Sequence, residues 1–227
     1  MKKQKGIILT IEDINHALEI IDSARAFSDK VNLVSGILGK YGELIVAKEI
    51  LSRRPDLEGQ LTFCSGQSSY DLQLGNIPLE VKTSSLKNEG VFTKVPGFEK
   101  GRPFFWGWRF KENTTGKEDF RFAILVALKG KEKVNPFDWT VQQFYVVPDQ
   151  EFSILGEKHI DRYPNIQRGI ILFEQRDKVE EIKEHADDVK KGKLSPITKW
   201  EVDFNKNPAR FQNNWKELFD YLEKKGR

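Results

Sequence analysis

Two carboxylates and a lysine lie in a short stretch that the sequence predicts to be a single β-hairpin. Residues 70–82 contain two short apolar runs separated by Gly75-Asn76, a pair typical of two-residue hairpin turns. With that turn, Leu74 faces Ile77, and counting outward along the strands places Asp71 directly opposite Glu80. Lys82 then projects from the same face as Glu80, because side chains along a strand alternate between its two faces.

Facing carboxylates of this kind predict a bound divalent cation. Directly opposed residues have Cβ atoms roughly 4.5–5.5 Å apart, and like charges so placed destabilise a sheet. Mg²⁺ would remove the repulsion, since it is bound by one or two carboxylates together with water and phosphate oxygens. A lysine beside the ion could orient an attacking water or stabilise charge on a phosphate. The pattern therefore favours metal-assisted hydrolysis of a phosphodiester.

These residues also carry a family resemblance. Asp71 followed by Glu80-Val81-Lys82 resembles the PD-(D/E)XK nuclease superfamily, which includes many restriction endonucleases and repair nucleases. That family commonly has a glutamate on the helix before the hairpin, and Glu43, within Lys40-Tyr41-Gly42-Glu43-Leu44, resembles it. The resemblance covers about residues 36–83 and continues through the expected sheet to about residue 147. It departs from the family at Tyr70, which stands where the name-giving proline would be.

The resemblance implies an α/β fold with a restriction-endonuclease-like core, in which a mixed β-sheet is flanked by helices. It implies that Asp71, Glu80 and the Val81 carbonyl bind Mg²⁺, with Mn²⁺ as a possible substitute. Lys82 would position or activate the attacking water, and Glu43 would support the metal or a second ion.

The first hypothesis for function is a Mg²⁺-dependent endonuclease that hydrolyses double-stranded DNA, a sequence-specific type II restriction enzyme acting as a homodimer. A structure-selective repair or recombination nuclease is the alternative within the enzyme class. A non-catalytic DNA-binding module on a nuclease fold is the alternative from another class. A purely structural protein would require the pairing of carboxylates to be a coincidence.

A basic segment follows the hairpin. Residues 82–111 contain seven basic and two acidic residues, interleaved with phenylalanines and tryptophans. Basic side chains neutralise phosphates, so the segment supplies candidate DNA contacts at Lys87, Lys94, Lys100 and Arg102, with Ser84 as a further phosphate contact. The alternative is a solvated strand face. For the aromatic residues we favour packing, with residues 104–111 pairing with residues 120–129.

The chain is predicted to form a single domain over residues 1–227, with a core at about 36–175. A helix at 10–28, begun by a capping box of Thr10 and Asp13, precedes the core, and a helical segment at 176–227 follows it. Its last helix is expected to begin at Asn207-Pro208 and to dock an apolar stripe on the core or on a second subunit. Further strands are expected at 120–128, 141–147 and 169–173.

The helix that carries Glu43 should run from residue 31 or 35 to Arg53 and be largely buried. Gly36, Gly39 and Ala47 share a stripe with Glu43. Glycines are unfavourable inside helices by about 0.5–1 kcal/mol each, so the stripe predicts a close approach to a sheet or to DNA.

Composition narrows the classes of function. A net charge of +3 over 227 residues excludes a polycation, so any DNA site must depend on how charge is placed. The single cysteine, Cys64, excludes an internal disulfide, and the three scattered histidines do not suggest a zinc site. The first apolar run is too short for a signal peptide or a membrane span. We therefore expect a cytoplasmic protein with no membrane partner.

Overall fold

A six-stranded mixed sheet with helices packed on it forms the body of the protein in the computed structural model. The structure describes residues 6–28, 34–64, 68–86, 105–111, 120–131, 140–151, 167–173 and 208–225. The elements are β1 (Ile7–Ile8), α1 (Ile11–Ser28), α2 (Val34–Arg53), β2 (Leu61–Phe63), β3 (Leu72–Leu74), β4 (Ile77–Leu86), β5 (Phe105–Lys111), β6 (Phe122–Lys131), β7 (Val141–Pro148), β8 (Gln167–Phe173) and α3 (Trp215–Lys225). The predicted α/β class is confirmed.

The main sheet has the strand order β1-β2-β3-β4-β6-β7. β4 pairs with β3 in the antiparallel sense and with β6 in the parallel sense, and β6 pairs with β7 in the antiparallel sense. Residues 122–128 of β6 are all buried, since other elements cover both faces of this strand. The strand predicted at residues 120–128 is confirmed, and it is a central strand of the sheet.

The two faces of the sheet are covered by different layers. On one face, apolar residues such as Leu79, Val81 and Ile124 form a core with α1, α2 and α3. On the other face, Ala123 and Leu125 lie in a second core. This alternation follows from the period of two along each strand.

β5 and β8 form a separate antiparallel pair over the second face. The indole N–H groups of Trp106 and Trp108 donate to the carbonyls of Leu128 and Val126, at 2.8 and 3.3 Å, and so fasten β5 to β6. The predicted pairing of residues 104–111 with 120–129 is therefore wrong. β6 already has β4 and β7 as neighbours, so β5 can only pack on its face.

The helix boundaries follow local signals in two cases of three. Thr10 and Asp13 form the predicted capping box, with N–H to side-chain oxygen distances of 2.9 and 3.1 Å. α2 begins at Val34 and ends at Arg53, within the predicted range. The last helix begins at Trp215, because Pro208–Phe211 forms a separate 3₁₀ turn and Asn213 takes a positive φ of 50°. Its predicted start at Asn207-Pro208 is wrong, and residues 174–207 lie outside the described chain.

Candidate active site

The hairpin that carries the candidate site has the predicted register. Leu74 pairs with Ile77 and Leu72 with Leu79. Gly75 occupies the first central position of the turn with a φ of 58°, the positive value that two-residue hairpin turns require there. The spacing of the residues along β4 is therefore fixed by a local turn.

Asp71 lies one residue before β3, in a bend, and is not a paired residue of the ladder. Its carboxylate accepts a hydrogen bond from the Val81 N–H at 2.8 Å, while its own N–H donates to the Leu79 carbonyl at 3.1 Å. The predicted direct cross-strand pair of Asp71 and Glu80 is not formed, because the side chain of Asp71 binds the β4 backbone where a pairing residue would. Asp71 is nevertheless held against β4, beside Glu80.

Glu80 and Lys82 lie on the same face of β4, as predicted, and the Lys82 ammonium donates to the Glu80 carboxylate. Only 14 % of the Glu80 side chain and 30 % of the Lys82 side chain are exposed. Burial, followed by the negative charge of Asp71, raises the pKa of Glu80 to about 7, although Lys82 opposes the shift. Burial and the Asp71 charge together therefore disfavour the charged form of Glu80 more than Lys82 favours it.

Glu43 approaches this group from α2 and is buried. The Lys40 ammonium, one helical turn earlier, donates to both of its carboxylate oxygens, at 2.7 and 2.9 Å. Burial raises the pKa of Glu43, and Lys40 partly offsets that shift. The Asp71 charge raises this pKa further, while Lys82 lowers it, so Glu43 lies within electrostatic range of both.

Gly42 brings α2 close to β4. A Cβ placed on Gly42 would lie 1.7 Å from Oγ1 of Thr83, which no real contact allows, whereas one placed on Gly39 would meet nothing within 4 Å. The predicted close approach of this helix to a sheet is thus found, but at Gly42 and not at Gly39. Gly42 directly precedes Glu43, so this contact sets how far Glu43 stands from the hairpin.

Of the predicted DNA contacts, only Ser84 lies in the described part of the chain. Ser84 is only 1 % exposed, and its hydroxyl accepts a hydrogen bond from the Gly107 N–H at 3.0 Å while donating to the Ser85 carbonyl. It links β4 to β5, so it cannot reach a phosphate in this conformation. The other predicted DNA contacts lie outside the described residues: Lys87, Lys94, Lys100 and Arg102.

The donor atoms of the site suit Mg²⁺ or Mn²⁺. Asp71 and Glu80 offer hard carboxylate oxygens. Burial, followed by the charge of Asp71, raises the pKa of Glu80, and a bound cation would offset both effects. Within the described ranges, no group of three or more His, Cys, Asp or Glu side chains is placed to hold a metal ion by itself. Mg²⁺ is commonly bound by one or two carboxylates and completes its shell with water and phosphate oxygens. Asp71 and Glu80 are enough for such a site.

Two residues beside the site were not identified from the sequence. Lys40 carries a detectable signal, since it stands three residues before Glu43 on a helix. Cys64, to which the sequence assigns no role in this site, donates its backbone N–H to the Asp71 carbonyl at 2.9 Å. Burial, mainly, raises the pKa of its thiol, with smaller contributions from the charges of Asp71 and Glu43. A raised pKa does not favour a nucleophilic thiolate.

A scan against protein-family models found no match to this chain, and a search of curated proteins found none. The resemblance of Asp71, Glu80 and Lys82 to the nuclease superfamily therefore stays a prediction. No helix within the described ranges is long and apolar enough to cross a membrane. The class of protein has to be inferred from the geometry of the site.

Proposed function

We propose that this chain is a Mg²⁺-dependent endonuclease that hydrolyses DNA phosphodiester bonds, and specifically a type II restriction endonuclease acting on double-stranded DNA as a homodimer. One observation carries the proposal. Asp71, Glu80 and Lys82 come together on one hairpin, with Glu43 in electrostatic range on the adjacent helix. Burial and, after it, the charge of Asp71 raise the pKa of Glu80, and such perturbed carboxylates are concentrated at catalytic sites.

The order of elements around the site supports a restriction-endonuclease-like core. α2 precedes β2, β3 and β4, and β6 then pairs with β4 in the parallel sense. The family resemblance implies an α-β-β-β-α-β order, and these elements agree with its first helix and its strands. Its second helix is expected between residues 129 and 142, of which residues 132–139 lie outside the described chain. In the described part of the chain, the connection from β4 to β6 contains β5.

The roles of the residues follow from their positions. Asp71, Glu80 and the Val81 carbonyl would hold Mg²⁺, with Glu43 in support. The ion, when bound, supplies Lewis-acid stabilisation of charge on the phosphate. The Lys82 ammonium, already at Glu80, would hold the attacking water and donate to a phosphate oxygen as negative charge develops. Burial of Glu80 limits competing water around these charges.

Incubation of the purified protein with unmethylated plasmid and phage DNA, in Mg²⁺ or in EDTA, tests the proposal. We expect discrete bands with Mg²⁺ and none with EDTA. Lys82→Ala should lower the rate by roughly 10²-fold or more. Lys216→Ala, which removes an exposed lysine from α3, is the matched control and should cut like the wild type.

The other outcomes separate the alternatives. A smear that requires Mg²⁺ and Lys82 would favour a structure-selective or nonspecific nuclease. Absence of cutting with a retained gel shift would favour a non-catalytic DNA-binding module. Cutting that survives both EDTA and Lys82→Ala would contradict the proposed site.

A further inference from the structure

Each glutamate of the candidate site is paired with a lysine from its own element. Lys82 donates to Glu80 within β4, and Lys40 donates to both oxygens of Glu43 within α2. The two side chains of the second pair differ more in exposure to solvent than those of the first. The Lys40 side chain is 62 % exposed, whereas the Glu43 side chain is 9 % exposed.

This difference in exposure decides which side chain of the Lys40–Glu43 pair can leave the other. Gly42 packs on Thr83 and holds the backbone of Glu43 near β4, and burial restricts the carboxylate. Lys40 is a long side chain at the surface, and an exposed lysine loses little by exchanging one partner for water or another anion. The carboxylate is therefore fixed while its counter-ion is replaceable.

We propose that Lys40 is a positioning residue, the resident counter-ion of Glu43, which must release this carboxylate before Glu43 can support a divalent ion held by Asp71 and Glu80. The inference rests on the proposed metal-dependent function. Both Glu43 oxygens accept hydrogen bonds from a single ammonium, so a metal ion and Lys40 compete for the same oxygens. The ammonium charge also repels an incoming cation. Lys40 thus keeps Glu43 oriented in the metal-free protein and lowers the affinity of the site for metal.

A titration with Mn²⁺ alone, without DNA and at pH 8, tests this directly by calorimetry or by the electron paramagnetic resonance signal of the free ion. Removing one unit charge from a partly exposed site should make Mn²⁺ bind about three- to tenfold more tightly in Lys40→Ala. Lys40→Met, which keeps the aliphatic stem, should behave in the same way. Lys40→Arg keeps the charge and should stay within about twofold of the wild type.

Two further variants separate this role from a general effect of charge or structure. Lys48→Ala removes an exposed lysine from the same helix and should leave the Mn²⁺ affinity unchanged. In a Glu43→Gln background, Lys40→Ala should keep only the smaller effect of charge repulsion, since the lysine no longer has a carboxylate to hold. Thermal denaturation of each variant confirms that it is folded.

The outcomes distinguish the two proposals. If the wild type binds Mn²⁺, Asp71→Asn weakens that binding, and Lys40→Ala leaves it unchanged or weaker, the role of Lys40 is overturned while the metal site stands. If the wild type does not bind Mn²⁺, or Asp71→Asn binds it equally well, the metal site is overturned and the role of Lys40 with it.

Discussion

At the scale of single residues, the carboxylates differ in how their charges are compensated. Asp71 accepts a backbone hydrogen bond from Val81, while Glu80 and Glu43 depend on lysines. A backbone N–H cannot move away, whereas lysine side chains can. The two glutamates are therefore the carboxylates whose energetics should respond most to pH and to metal.

Glu80 makes the stability of the metal-free protein depend on pH. Its pKa rises from an ordinary 4.5 to about 7, so the folded protein holds this proton to a higher pH than the unfolded chain does. Between those values folding takes up a proton, and the free energy of unfolding falls as the pH rises. In EDTA we expect a loss on the order of 1–3 kcal/mol across this window, measured by urea denaturation.

The controls for this pH dependence follow from its causes. Glu80→Gln removes the titrating group and should flatten the dependence, whereas Asp71→Asn removes only the neighbouring charge and should reduce it in part, because burial of Glu80 remains. Burial raises the pKa of Glu43, so this residue also makes the protein less stable as the pH rises. The double variant Glu80→Gln, Glu43→Gln should therefore show the smallest pH dependence of stability. Millimolar Mg²⁺ at pH 8 should restore stability to the wild type and not to Asp71→Asn. A flat profile in wild-type protein would contradict the electrostatics described for the site.

Part of this residue-scale description could be predicted from the sequence. The hairpin turn and the alternation along β4 are local, so the shared face of Glu80 and Lys82 followed from spacing. The position of Asp71 did not, because its carboxylate binds the Val81 N–H and ends the ladder one residue early. Such a competition between side-chain and backbone pairing is not visible in a pattern of apolar residues.

At the scale of elements, the contact between α2 and β4 sets the position of Glu43. Gly42→Ala places a Cβ 1.7 Å from Thr83 Oγ1 and should force the helix away from the strand. We expect a loss of about 1–3 kcal/mol in the free energy of unfolding, and a lower rate of the proposed metal-dependent DNA cleavage. Gly39→Ala adds the same methyl group where nothing lies within 4 Å, and should be neutral or stabilising by up to about 1 kcal/mol.

A second substitution tests the cause of that loss. Thr83→Ala in the Gly42→Ala background removes Oγ1 and Cγ2 and leaves a Cβ 2.9 Å away, so it should recover part of the stability. The steric account fails if Gly42→Ala is as stable and as active as Gly39→Ala.

Pairings between distant segments could not be predicted at this scale. Residues 105–111 have a pattern that suits many strand partners, and the predicted partner, residues 120–129, is the next strand expected in the sequence. Their observed partner is β8. They cannot pair with β6, because both edges of that strand are taken by β4 and β7. Which strand occupies an edge depends on the whole sheet, and a local pattern does not contain that information.

At the scale of the whole molecule, the last helix closes the core that supports the hairpin. Trp215 and Leu218 of α3 are buried in the same cluster as Leu79 and Val81 of β4. Arg54, directly after α2, pairs with Glu223 of α3 at 3.0 Å. The last helix of the described chain thus packs on the same face of the sheet as α2, the helix that carries Glu43.

Leu218→Ala tests whether this closure makes the protein one cooperative unit. Leu218 is fully buried, so its truncation should lower the free energy of unfolding by about 2–5 kcal/mol. Glu223→Gln, which breaks only a pair with 60 % of the glutamate side chain exposed, should cost less than about 1 kcal/mol. Urea denaturation, monitored by tryptophan fluorescence and by circular dichroism, should give one coincident transition for the wild type and for each of the two variants. Separate transitions for the two signals would show that α3 unfolds independently of the sheet, and the hairpin would then not need it.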